Sequence, residues 1–139
     1  MTEAEPKNQN ERTVYVCHST GCLSGKAAEI REALEKQVAV SHLQGVRVDF
    51  TGCHGFCQQG PIVVVEPEGI FYTHVTPDDA PDIASSHLRD SKPVRRLFYQ
   101  DPVSGEFIPH YNEIDFYRKQ TRIMLRNCGH VNPERIDDY

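Results

Sequence analysis

The sequence has 139 residues, 38% hydrophobic and 25% charged, which allows one compact domain with some extra length and excludes collagenous and wholly disordered chains. A formal charge of −5, without a basic stripe interleaved with aromatics, argues against nucleic acid and fits a chain with protein partners. Apolar runs such as Ile62 to Val65 are far too short to cross a bilayer, and Met1 to Arg12 lacks the apolar stretch of a secretory signal, so a cytoplasmic address without direct membrane insertion is expected.

Residues 1–11 are polar and aperiodic and read as a flexible leader. Thr13 to Cys17 is β-branched and aromatic, a strand ending at the first cysteine. From Leu23 onward, Leu23, Ala27, Ile30, Leu34 and Val38 recur at helical spacing while Lys26, Glu29, Arg31, Glu35 and Lys36 take the other face, which predicts one amphipathic helix. Gly45 breaks it. Val46, Val48 and Phe50 then alternate with Arg47, Asp49 and Thr51, a half-exposed strand. Gly60-Pro61 restarts the chain into Ile62 to Val65, an apolar strand expected at the centre of a sheet. Pro67-Glu68-Gly69 reads as a turn into a strand from Ile70 to Val75. Thr76-Pro77 opens a helix to about Leu88, with Asp78 and Asp79 at its positive end and Ala80, Ile83, Ala84, His87 and Leu88 facing inward. The order β-α-β-β-β-α over residues 12–89 predicts an α/β domain in which a crossover helix joins parallel strands and a hairpin completes a mixed sheet.

After Asp90 the texture changes. Val94 to Tyr99, a turn at Asp101 to Gly105, and Phe107-Ile108 suggest a second hairpin. Pro109 to Glu113 is expected to be irregular, and Asp115 to Leu125 fits helix or strand. Asn132-Pro133-Glu134 is a helix start with few residues behind it. The last fifty residues read as the opening of something larger.

In a reducing compartment, clustered cysteines serve more often as metal ligands or catalytic thiols than as disulfides. Cys17-His18-Ser19-Thr20-Gly21-Cys22 puts four residues between the first pair, and Cys53-His54-Gly55-Phe56-Cys57 puts three between the second. A [2Fe–2S] cluster needs four thiolates around two irons, and two short loops at one sheet edge can supply them. Both pairs follow predicted strands, so both fall at the edge where an open α/β sheet binds ligands. A helix opening beside Cys22 would turn its positive end toward a negative cluster, and Phe56 could shield it from water. Neither the three-cysteine loop of plant-type ferredoxins nor the two-residue spacing of a thioredoxin redox motif is present. Spacing favours the cluster and leaves open a zinc site, whose pairs are commonly spaced more tightly, and unrelated buried cysteines.

Cys17-x4-Cys22, followed by Cys53-His54-Gly55-Phe56-Cys57 and Gly60-Pro61, resembles the thioredoxin-like [2Fe–2S] ferredoxin family. That family includes the small cluster-bearing subunit of respiratory complex I and related domains in NAD-linked hydrogenases and formate dehydrogenases. The resemblance implies a thioredoxin-like ferredoxin fold over residues 12–89, with Cys17, Cys22, Cys53 and Cys57 as cluster ligands and one-electron transfer as the activity. A second stretch runs Phe116-Tyr117-Arg118-Lys119-Gln120, Arg122-Ile123-Met124-Leu125-Arg126-Asn127-Cys128-Gly129 and Asn132-Pro133-Glu134. It is similar to the start of the flavin-binding, NADH-oxidising subunit of complex I. The implication is that residues 90–139 are a connector and the truncated start of a flavoprotein module. Electrons would then pass between the cluster and a nearby flavin or iron–sulfur chain. The Gly-rich loop for NADH and FMN and the C-x2-C-x2-C run are absent, so FMN and NAD belong on a missing module or on partner subunits. The chain is expected to be a fragment or one part of a split subunit that does not oxidise NADH alone. Flavin-binding and iron–sulfur subunits are the expected partners, and a homodimer stays open because free relatives of this fold can pair.

The residues are compatible with three functions: electron carriage, a zinc-stapled interaction module without redox activity, and a thiol–disulfide enzyme. Cys128, the odd cysteine, reads as a buried structural thiol. Lys92, Arg95 and Arg96 read as a solvated charged face, His74, His87, His110 and His130 as structural or exposed, and Asp78 and Asp79 as helix-terminus residues.

Overall fold

The structure, a computed structural model, describes residues 11–124 and 126–138, so the leader, apart from Glu11, lies outside the described residues. Four strands form a mixed sheet in the order β2-β1-β3-β4: β1 Arg12–Cys17, β2 Val46–Thr51, β3 Val63–Glu66 and β4 Ile70–Tyr72. β1 runs parallel to β2 and antiparallel to β3, and β3 and β4 form the hairpin. Val63, Val64 and Val65 are all buried, as expected of a central strand covered on both faces. The α/β class, the parallel β1–β2 pair and the β3–β4 hairpin match the sequence reading.

The first helical region departs from that reading. Two helices stand where one was expected, α1 Thr20–Ser24 and α2 Ala27–Val40, separated by Gly25 and by Lys26 at a left-handed φ of 70°. Ala27, Ile30 and Leu34 of α2 are buried, but Leu23 is 40% exposed. The break rotates α1 off the α2 register, so Leu23 no longer shares its inward face. The strand expected to reach Val75 ends at Tyr72.

The second helical region begins at Thr76, whose side chain and Asp79 form a capping box. It continues as a 3-10 turn (Pro77–Asp79), a single α turn α3 (Ala80–Asp82) and a π-helical stretch (Ile83–Arg89). Ala80, Ile83, Ala84, His87 and Leu88 are buried as expected.

Residues beyond 90 belong to the same core. Phe71 N–H donates to Pro109 carbonyl and Thr73 N–H to Leu97 carbonyl, so the chain lines the outer edge of β4 and covers its unpaired groups. Leu97, Tyr99 and Ile114 are buried. The expected second hairpin is short: Arg95–Leu97 is a 3-10 turn, and only β5 Tyr99–Gln100 and β6 Phe107–Ile108 pair. Residues Asp115–Arg118 form one turn of helix, α4. No helix among the described residues is long and apolar enough to cross a membrane.

One buried polar network ties the hairpin turn to the second helical region. Tyr72 hydroxyl accepts from Val94 N–H at 3.0 Å and lies 2.7 Å from His87 Nδ1. His87 Nε2 lies 2.8 Å from a Glu68 oxygen, whose other oxygen accepts from Arg12 at 2.6 Å. The network assigns the His87 proton to Nε2, with Tyr72 donating to Nδ1. Burial, the largest influence, holds His87 below the ordinary histidine value against the pull of Glu68. A histidine lowered in the folded state charges more readily when unfolded, so its stabilising effect is full above about pH 6.5 and is lost as pH falls below that value. The thermal midpoint should therefore decline on acidification. His87→Gln should cost about 1–3 kcal/mol at neutral pH and make that decline shallower. Equal slopes in the two proteins would contradict the assignment.

Candidate metal centre

Parallel pairing sets Cys17, the last residue of β1, opposite Thr51, the last residue of β2. His18 N–H donates to Thr51 carbonyl at 2.9 Å and extends the pairing by one step. Both strands therefore end at one edge of the sheet, and the thiols sit on the loops that leave it. Cys22 lies within α1, Cys53 two residues beyond β2, and Cys57 at the start of a 3-10 turn, Cys57–Gln59. Cys22 is thus inside a short helix rather than ahead of a long one, which removes the expected alignment of a helix dipole on the site. Cys17 and Cys22 are buried, Cys53 is half-buried and Cys57 exposed.

The four thiols come as two pairs. Cys53 and Cys57 sulfurs are 3.8 Å apart, and Cys17 and Cys22, both buried, each perturb the other's titration. The loops also touch across the edge: an added Cβ at Gly21 would lie 3.3 Å from Cys57 Cβ. Cys17 is lowered to about 6, first by the hydrogen bond from Cys22, then by backbone hydrogen bonds from His54 and Ser19 that outweigh burial together with it. Cys22 is pushed up by the shared hydrogen bond with Cys17, then by burial and by negative charge on Cys17 and Cys57. Cys57 is raised by its hydrogen bond with Cys53 and by charge on Cys53, with a smaller effect from Cys17. Four thiolates crowded in this way repel one another, and bound cations remove that repulsion by replacing the protons.

No three His, Cys, Asp or Glu side chains among the described residues are arranged around a single ion. Two thiol pairs instead suit two adjacent irons, and backbone N–H groups aimed at sulfur suit the negative charge of a cluster. Gly55 N–H donates to Cys53 sulfur at 3.1 Å, from a residue at φ +80° that favours glycine. The donor set fits a [2Fe–2S] cluster.

The surroundings differ from what spacing alone suggests. His54 is only 2% exposed, and its Nε2 has no hydrogen-bond partner among the described residues. Burial, reinforced by His130 and Arg122, pushes it down to about 3, so it stays neutral. His18 packs on Phe50 with ring centroids 4.5 Å apart. Phe56 stacks on Phe116 at 4.5 Å and 10°, and also meets Tyr99 and Tyr117. Cys128 is half-buried rather than buried, with its sulfur 3.9 Å from an added Cβ at Gly52. Tyr117 and Arg122 reach the second thiol loop by hydrogen bonds to His54 carbonyl. Neither carries a sequence signal for that role, because both act across more than sixty positions of chain.

A mixed α/β sheet presenting two thiol pairs at one edge defines a thiolate metal-binding domain. Comparison with known proteins makes the class specific. The family model for thioredoxin-like [2Fe–2S] ferredoxins matches residues 2–87. The chain belongs to that family, whose activity is one-electron transfer through a [2Fe–2S] cluster. It is 44% identical over 77 residues to a 2Fe–2S ferredoxin of Clostridium pasteurianum, a match spanning 55% of this chain and 76% of that protein. The crystal structure of the thioredoxin-like [2Fe–2S] ferredoxin from Aquifex aeolicus superposes with a TM-score of 0.58 at 29% identity, covering 63% of this chain and 94% of the other. Residues 88–139 lie outside the family match.

The glycine that comes nearest to a thiol sulfur gives a direct test. A Cβ at Gly60 would lie 2.9 Å from Cys22 sulfur and 3.2 Å from Cys57 carbonyl, although Gly60 has an ordinary φ of −71°. Gly60→Ala is therefore a purely steric insult. It should lower iron and sulfide per chain well below wild type while leaving the far-ultraviolet circular dichroism unchanged. Full iron content would show that the loop yields freely.

Proposed function

We propose that Cys17, Cys22, Cys53 and Cys57 are the cluster ligands, one pair to each iron, and that the chain relays single electrons within an NAD(P)H-linked redox complex. The observation that supports the ligand set best is the close approach of the two loops: an added Cβ at Gly21 would lie 3.3 Å from Cys57 Cβ, and one at Gly60 would lie 2.9 Å from Cys22 sulfur. When bound, the cluster supplies a one-electron couple. The chain's own residues orient and insulate it. The backbone hydrogen bond from Gly55 to Cys53 and the backbone N–H groups of Ser19 and His54 near Cys17 and of Ile62 near Cys22 stabilise negative charge on sulfur. Phe56, stacked on Phe116, keeps water from one side. Five free thiols suit a reducing, cytoplasmic setting.

The complex-level reading rests on the tail. Its stretch from Phe116 to Glu134 resembles the start of an NADH-oxidising flavoprotein, with residues 90–139 as connector. Exposure near the thiols is consistent with a redox partner there: Cys57 is open, and Ile123 and Met124, beside Arg122, are 77% and 93% exposed. Hydrogenase, formate dehydrogenase and NADH–quinone oxidoreductase complexes are the candidate settings, with FMN and NAD held by the neighbouring module.

Anaerobically purified chain should be brown and contain about two irons and two sulfides. Serine in place of Cys17, Cys22, Cys53 or Cys57 should remove or strongly deplete both, whereas Cys128→Ser should keep them. Dithionite should bleach the visible spectrum, and NADH without a partner should not. Colourless protein with stoichiometric zinc and no response to dithionite would replace electron carriage with an interaction module.

A further inference from the structure

The peptide between His54 and Gly55 is hydrogen-bonded at both ends. Its N–H, from Gly55, donates to Cys53 sulfur at 3.1 Å. Its carbonyl, from His54, accepts from the Arg122 guanidinium and, at 3.3 Å, from Tyr117 hydroxyl. Arg122 is fixed in this pose from several directions. Its second terminal nitrogen donates to Cys128 carbonyl at 3.3 Å, and its guanidinium lies over the Tyr117 ring, 5.0 Å from the centroid. Nη2 is 3.7 Å from where a Cβ on Gly55 would stand. Tyr117 is itself anchored, meeting Phe56, Phe71 and Phe116 edge-on. Arg122 is half-buried, so its charge is only partly screened by solvent.

From this geometry we propose that Arg122 raises the reduction potential of the cluster by acting through the His54–Gly55 peptide on Cys53. The inference rests on Cys53 being a ligand. Reduction adds one negative charge to the thiolate-bound centre. A fixed cation at the carbonyl end attracts that charge directly. It also polarises the peptide, strengthening the N–H hydrogen bond to sulfur. Both effects favour the reduced form and act on the more exposed thiol pair, Cys53 and Cys57. Arg122 is a positioning residue: it touches the peptide rather than the sulfur. It lies outside the span matched by the family model, so the extension supplies a tuning element to the domain.

The test is a potentiometric titration, followed by electron paramagnetic resonance, of the full chain and three variants, with iron and sulfide measured on each. Arg122→Gln should shift the midpoint to lower potential, and Arg122→Lys, which keeps the charge, should recover most of the shift. Tyr117→Phe, which removes only the neutral donor, should give a smaller shift of the same sign. Fully loaded Arg122→Gln with the wild-type midpoint overturns the proposal. If that variant does not load, Tyr117→Phe decides: an unchanged midpoint overturns the proposal and a lowered one supports it. A wild-type chain without iron and sulfide removes the ligand assignment itself, an outcome distinct from normal loading with an unmoved potential.

Discussion

The parallel pairing of β1 with β2 is the constraint on which the site depends. Each strand delivers a thiol loop at its carboxyl end, and only a parallel pair can put both ends at one edge of a sheet. The register matters as much as the direction. With Cys17 opposite Thr51, the loop after β2 returns to the first thiol loop, and Gly21 rests against Cys57. A slip by one residue would turn every β2 side chain to the opposite face and misplace the second loop. β2 resists slipping because Asp49 accepts from Asn132 at 2.7 Å and Thr51 donates to Val131 carbonyl at 2.8 Å.

Those two bonds show that the C-terminal extension holds the site as well as following it. Between Tyr111 and Asn132 the chain packs against the second thiol loop. Phe116 covers Phe56, Tyr117 and Arg122 bind His54 carbonyl, and Gly129 backbone lies against the His54 ring. Hydrogen bonds then tie the segment to β2. Such a strap limits the conformations open to the Cys53–Cys57 loop and excludes water around it, and both effects shape a cluster's potential. A displacement of the strap would alter both the freedom of the Cys53–Cys57 loop and the electrostatics at Cys53. A module linked to this segment would therefore have a physical route to influence the electron carrier.

Much of this was legible in the residues. The apolar run at Ile62–Val65 and the helical stripe from Ala27 through Leu34 record burial directly, and both elements formed; the alternation over Val46–Thr51 marks β2 but not its buried face, since Asp49 and Thr51 are buried while Val46, Val48 and Phe50 are half-buried. The thiol pairs were legible because metal ligation imposes short local spacings. Where chain path rather than burial decides, the residues carry no local signal. Nothing in the pattern of Leu23 and Ala27 announces a left-handed Lys26 between two helices, so helical spacing alone puts Leu23 inward and Cys22 ahead of a helix instead of inside one. His54 could not be placed from spacing, because its burial comes from Gly129 and Tyr117, residues remote in sequence. Arg122 was invisible for the same reason: its role exists only once the tail folds back on the sheet. The second helical region was better served, since Thr76, Pro77 and Asp79 carry their capping chemistry within four positions.

Iron-57 Mössbauer spectroscopy of reconstituted chain, oxidised and then reduced by one electron, tests the central claim most directly. Two thiol pairs sharing one inorganic core predict two ferric sites in all-sulfur tetrahedral surroundings, coupled to a diamagnetic ground state. One of the two should become ferrous after reduction. A single uncoupled iron in four-sulfur surroundings, or sites bearing nitrogen ligands, would contradict the paired-thiolate arrangement.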